Sequence, residues 1–376
     1  MDYTKCNVIS TDDHILEDRD FFSRWLPAKY KDQAPQVRSF PGEPDAWVFG
    51  SQKRPIGTAA IGATPDRSVR ITSWDKIPTM TYRPAERLLA MDRDGVDVHT
   101  LFPNSIGFAG AQFNNLEDPG LRLACVQAYN DYVLHEWYEF SPRFIPQAIV
   151  PLWDMNLAKQ ELIRAIKLGH KSLVMVANPE TIGMPHLADP YWMPLLETAQ
   201  DLNVSVQLHI GSGKHRVFET LYKGYSPNQN LAIGSTHAIA NNTNIMSDLL
   251  LSGLLERLPR IKFVSVESGL GWVPYVLELC DHQYEAQRLH REKFLTMKPS
   301  EYFRRNCYVN FWYEVAGIAM RHFIGIDNIT WESDFPHPTC TYPDSQRYIK
   351  ETMQGVPVAE QRKLLVDNAI RVFNLS

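Results

Sequence analysis

The sequence predicts an α/β fold, a (β/α)8 barrel with a long insertion after its first strand. Three observations predict it. Eight short apolar, β-branched runs alternate with helical segments, and that alternation implies parallel strands joined by right-handed crossovers. Eight strands is the number that closes a barrel. Four of the runs also break off in acids or histidine: the first in Thr11-Asp12-Asp13-His14, the fifth in His209, the sixth in Glu267, and the last in Ser333-Asp334 before Pro336 stops the ladder. The competing open sheet needs a glycine-rich turn after its first strand, and no Gly-x-Gly-x-x-Gly is present there.

Taken in order, the first run is Cys6 to His14. From about Asp18 to Arg83 the chain is rich in Pro, Gly and aromatics without clear periodicity; a stretch of this length reads as an insertion or lid. Regular alternation begins at Pro84, a residue tolerated in a first helical turn, with a helix to Asp92 and a strand from Val96 to Pro103. A helix from Asp118 to Phe140 leads to the strand 144–151, and a helix 156–168, closed by Gly169, leads to the strand 172–176. Further helices are expected at 191–201, 241–258, 273–290, 316–323 and 359–373, with strands at 204–209, 261–267, 307–312 and 329–334. The 376 residues read as one domain, 1–376, with 18–83 inserted.

Hydrophobic content of 44% with 22% charged residues is that of a chain that buries a sizeable core. A net charge of −5 gives no electrostatic case for nucleic acid or an anionic membrane. No run has the length of a signal peptide or a membrane span, so the expectation is a cytoplasmic protein acting on a small molecule. The five cysteines are scattered, with no Cys-x-x-Cys pair, and read as reduced thiols.

In a barrel the C-terminal ends of all strands face one pocket, so residues distant in sequence can share one ion. Asp12 and His14 are two apart, and an extended chain points such residues to the same side. With His209 and Asp334 they make two carboxylates and two imidazoles, a set that suits Zn²⁺ or Mn²⁺ with a position left for water or substrate. Each has an ordinary structural reading: a turn with an N-cap for Asp-Asp-His, a hydrogen-bonded rim residue for a single strand-end His. Asp334, Glu267 and His337 are the candidate catalytic residues; His337 could instead orient a ligand or cap its turn, and Glu267 could pair with a basic residue. His186, His215 and His237 read as surface residues, and Trp47, Phe49, Trp74, Phe108, Trp312 and Tyr313 as candidates for an apolar substrate wall.

Asp12-Asp13-His14-x-x-Glu17, Met91-Asp92-Arg93-Asp94-Gly95-Val96-Asp97, Leu208-His209-Ile210-Gly211 and Ser333-Asp334-Phe335-Pro336-His337 resemble the second amidohydrolase family, in its branch of aminocarboxymuconate semialdehyde decarboxylase and related aromatic-acid decarboxylases. The resemblance implies a distorted barrel, a homodimer, and one divalent metal on Asp12, His14, His209 and Asp334. Two departures stand out: an acid, Asp12, opens the motif where the wider superfamily has His, and Glu267 stands where relatives often place an acid/base His. No lysine ends the fourth strand, which favours one metal over two. The expected activity is non-oxidative decarboxylation of a small carboxylated aromatic or unsaturated substrate. The alternatives are hydrolysis of an ester, lactone or amide by a metal-activated water, and a non-catalytic metal-binding barrel.

Overall fold

A computed structural model describes residues 1–67, 70–212 and 224–375. The chain forms two compact units: residues 1–174 with 333–348, and residues 175–332 with 349–376.

In the first unit the strands β1 (Ile9–His14), β5 (Val98–Phe102), β6 (Phe144–Ala148) and the start of β7 (Ser172–Val176) pair in parallel, in that order. Every residue of β1, β5, β6 and β7 is buried; β7 therefore reads as a near-continuous apolar run, whereas β1 buries the polar side chains of Ser10 to His14. The connecting helices stop and start on local chemistry. Pro84 opens the helix Pro84–Asp94, and Gly95, at φ 71°, closes it by donating to Met91 O. Asp118 and Asp154 cap the helices Pro119–Tyr132 and Met155–Leu168 by accepting from the backbone N–H groups of the first turn.

The insertion is more regular than its sequence suggests. It contains a three-stranded antiparallel sheet, β2 (Gln36–Phe40), β3 (Glu43–Phe49) and β4 (Gln52–Pro55), turned at Gly42 and Gly50, both with positive φ. β2 and β4 have no fully buried residue, so neither carries an apolar alternation to read. The buried face comes from β3: Trp47 and Phe49 pack with Phe21, Phe22, Trp74 and Phe113. Trp47, Phe49 and Trp74, expected as substrate-wall candidates, therefore fill the insertion's own core.

In the second unit β8 (Ser205–His209), β9 (Lys262–Val266), β10 (Cys307–Phe311) and β11 (Ile329–Trp331) pair in parallel, in that order. The helix expected at 241–258 runs instead over Pro227–Leu251, opened by a Ser226–Gln229 capping box, with a separate turn Leu254–Arg257 after Gly253 at φ 76°. Its first half is rich in Asn, Gln, Ser and Gly, so the apolar period starts late. The helix Pro299–Asn306 was also not expected, because eight residues with two arginines give too short a pattern. All five cysteines are buried and free. No helix among the described residues is long and apolar enough to cross a membrane.

Candidate metal and acid–base centre

β1 delivers Asp12 and His14 together, as their spacing requires. The segment after β11 runs back along β1: Asp334 N donates to Asp12 O (3.0 Å), and His14 N donates to Phe335 O (2.6 Å). This ladder fixes Asp334, whose backbone is left-handed at φ 59°. The result is a convergence on His14 Nε2, with Asp12 Oδ1 at 3.3 Å and Asp334 Oδ1 at 3.7 Å, all three side chains fully buried. Two carboxylates within 4 Å of one buried imidazole nitrogen form a donor set that a divalent cation offsets. His14, Asp334 and His337 each offer a ligand atom, the three lying within 4.8 Å of one another.

His337 is already engaged at both nitrogens. Nδ1 lies 2.7 Å from Asp334 Oδ1, and Nε2 lies 2.7 Å from Asn104 Nδ2. Because the amide donates to Nε2, the proton sits on Nδ1 and is directed at the carboxylate. His337 thus orients Asp334, helped by Thr339 Oγ1, which donates to Asp334 Oδ2 at 2.5 Å. Its ring stacks on His14 at 3.9 Å between centroids, and Phe108 lies 5.3 Å from His14. Of the six aromatics expected to line a wall, Phe108 is the one set against His14.

Behind these groups lies a buried polar layer. Arg87 donates through Nη2 to His14 O (2.7 Å) and through Nε to Met80 O (2.7 Å). Burial lowers its pKa to about 9, against the opposing pull of Asp13. Asp13 accepts from Ser333 Oγ at 2.5 Å, and burial raises its pKa. Glu17, the last acid of the first motif, accepts from the N–H groups of Asn104 (2.9 Å) and Ser105 (2.7 Å); burial raises its pKa as well. It braces the loop after β5.

Arg54 carried no signal in the sequence. It lies opposite Trp47 in the β3–β4 register, and cross-strand partners share a face, so it points to the buried side of the hairpin. Its Nη1 would stand 3.4 Å from a Cβ on Gly107, the neighbour of Phe108. Among the described residues its guanidinium donates no hydrogen bond; burial lowers its pKa and the Glu17 charge opposes that shift.

In the second unit His209 ends β8. Its Nδ1 lies 2.6 Å from Ile210 O, which places the proton on Nδ1 and the lone pair on Nε2, the arrangement of a metal-ligating imidazole. Glu267 follows β9, with Oε2 3.7 Å from that Nε2. Its backbone is also left-handed, at φ 57°. Its carboxylate faces the imidazole of His209. His186 (bonded to Asp248) and His237 are surface residues, as expected; His215 lies outside the described residues.

Parallel strands that end in buried Asp and His side chains able to hold a metal ion define the class as a metal-binding α/β enzyme. The amidohydrolase family model matches residues 77–375, and the chain belongs to that family. A gamma-resorcylate decarboxylase from Polaromonas sp. is 24% identical over 300 residues, 77% of this chain and 87% of that protein. Among solved structures, an amidohydrolase from Mycobacterium avium subsp. paratuberculosis K-10 matches with a TM-score of 0.76 at 22% identity, covering 99% of each chain. A 5-carboxyvanillate decarboxylase from Novosphingobium aromaticivorans, solved with manganese, matches with a TM-score of 0.69 at 17% identity, covering 99% of this chain and 97% of that one. The fold is therefore the (β/α)8 barrel that the alternation predicts.

Proposed function

We propose that the protein is a metal-dependent carboxy-lyase that removes CO₂ without oxidation from a small carboxylated aromatic substrate. Asp12, His14, His209 and Asp334 are the ligands of one divalent ion, manganese in preference to zinc. The observation that carries the reading is the approach of the Asp12 and Asp334 carboxylates to His14 Nε2 in a fully buried setting. The decarboxylases among the relatives support the reaction, and the manganese in one of them supports the metal.

When bound, the ion supplies positive charge that holds a substrate carboxylate and a neighbouring oxygen. The chain supplies the rest. Asp334 is aimed by His337 Nδ1 and Thr339 Oγ1. Glu267 delivers a proton to the ring carbon that carries the carboxylate; the C–C bond then breaks, its electron pair returns to the ring and CO₂ leaves. A glutamic acid has an ordinary pKa of about 4.3, so this role requires it to hold its proton in the complex. Phe108 forms one apolar wall. Arg54 receives an anionic group of the substrate, a charge-assisted contact.

The test is metal analysis together with CO₂ release from a panel of hydroxylated benzoates, run beside hydrolysis of lactones, esters and amides. Stoichiometric metal with CO₂ release is expected. Hydrolysis without CO₂ release would replace the lyase reading with the hydrolase one, and bound metal with no turnover would leave a binding protein.

A further inference from the structure

We infer that Asn310 is the positioning residue for Glu267. The inference rests on the reading of Glu267 as the proton donor. The parallel pairing of β9 with β10 runs through Ser265 and Val309, and one step further the ladder fails. At Glu267 the backbone turns left-handed, φ 57°, a conformation that L side chains rarely adopt. The N–H of Glu267 is thereby rotated out of the sheet and takes side-chain acceptors: Asn310 Oδ1 at 2.9 Å, with Glu332 Oε2 at 3.3 Å. Asn310, inside β10, is fully buried.

This bond decides where the carboxylate goes. Were Glu267 to relax to an extended backbone, its side chain would pass to the other face of β9, away from His209 Nε2, now 3.7 Å from Oε2. Strained residues of this kind persist when their surroundings over-determine them. The chemistry also explains why an amide holds the place. Asn offers an acceptor without charge, whereas an aspartate would set a further buried negative charge near Glu267 and Glu332. The amide cannot be turned over either, because its NH₂ would then face the N–H of Glu267.

The experiment is a double-mutant cycle of Asn310→Leu and Glu267→Gln in the metal-loaded enzyme, with amide hydrogen exchange as the readout that needs no turnover. If Asn310 acts through Glu267, Asn310→Leu lowers kcat by about tenfold or more with KM little changed, and has no further effect in the Glu267→Gln background. Exchange at residues 267–269 rises while residues 262–266 of β9 keep their protection. Losses that multiply across the cycle, or unchanged exchange at 267–269, overturn the inference. If the leucine variant does not fold, Asn310→Ser, which also withdraws the acceptor by shortening the side chain, replaces it under the same criteria. A wild type that releases no CO₂ defeats the lyase reading, while the exchange measurement still decides whether Asn310 holds Glu267.

Discussion

The two strand-end clusters are built by different means. In the first unit the metal-type residues are fastened by main chain: Asp334 and Phe335 bond directly to the backbone of Asp12 and His14, and the side chains follow from that register. In the second, Glu267 is fastened by side chains, through Asn310 and Glu332. A main-chain ladder constrains position whatever the side chain, so it suits ligands that must stay put. A side-chain clamp fixes one group in an unusual conformation, which suits a residue that must meet a substrate. On the proposed reading this is a division of labour, with Asp12, His14 and Asp334 among the metal ligands and Glu267 as the proton donor.

The largest effect expected of this division is in Asp334→Asn. The amide cannot supply the second negative oxygen donor beside His14, so the variant loses stoichiometric metal and turnover falls by about 10³-fold or more, measured by metal analysis and CO₂ release. Glu267→Gln should do something different: turnover falls by about 10²- to 10⁴-fold, the usual span for a general acid, with the metal retained. If both variants lose the metal, Glu267 is a ligand and the division collapses.

That contrast also explains what was legible in the sequence. Asp12, His14, His209 and Asp334 were singled out because they are polar residues at the ends of otherwise apolar runs, and the structure places each at or just after a buried strand; the strand boundaries at β5 through β9 were legible from the same apolar runs. Asn310 was hidden inside the seventh strand, Cys307–Trp312, where a single polar residue carries no period. The π-type turn Val133–Tyr138, which ends a helix expected to run on to Phe140, left no mark in the sequence. The small sheet of the insertion was illegible because two of its three strands bury nothing fully, and with it went Arg54, whose role depends on a hairpin register.

Arg54 gives the next prediction, smaller because it concerns binding. Arg54→Met removes the guanidinium but keeps much of the apolar stem. A charged hydrogen bond contributes about 1.5–3 kcal/mol, so KM for a carboxylated phenol should rise by about 10- to 100-fold with kcat and metal content little changed. A fall in kcat at constant KM would move Arg54 from substrate recognition to the support of Glu17 and the loop after β5.

The smallest effect on turnover is expected at His170, which separates acid damage to the scaffold from acid titration of the site. His170 is buried in the first unit, its Nε2 3.0 Å from Asn130 O, and burial lowers its pKa to about 4. The unfolded chain carries this group near pKa 6.5. Between pH 6.5 and 4 the unfolded state therefore binds a proton that the folded state refuses, and stability falls as the pH falls. The stabilising contribution is complete above pH 6.5 and is lost progressively down to about pH 4, a change of about 3 kcal/mol over the window. Urea unfolding of wild type and His170→Asn at pH 7.5, 5.5 and 4.5 should show the wild type losing more stability than the variant on acidification, while CO₂ release at pH 7.5 is the same for both folded proteins. Parallel losses in the two proteins would assign the acid sensitivity to groups other than His170.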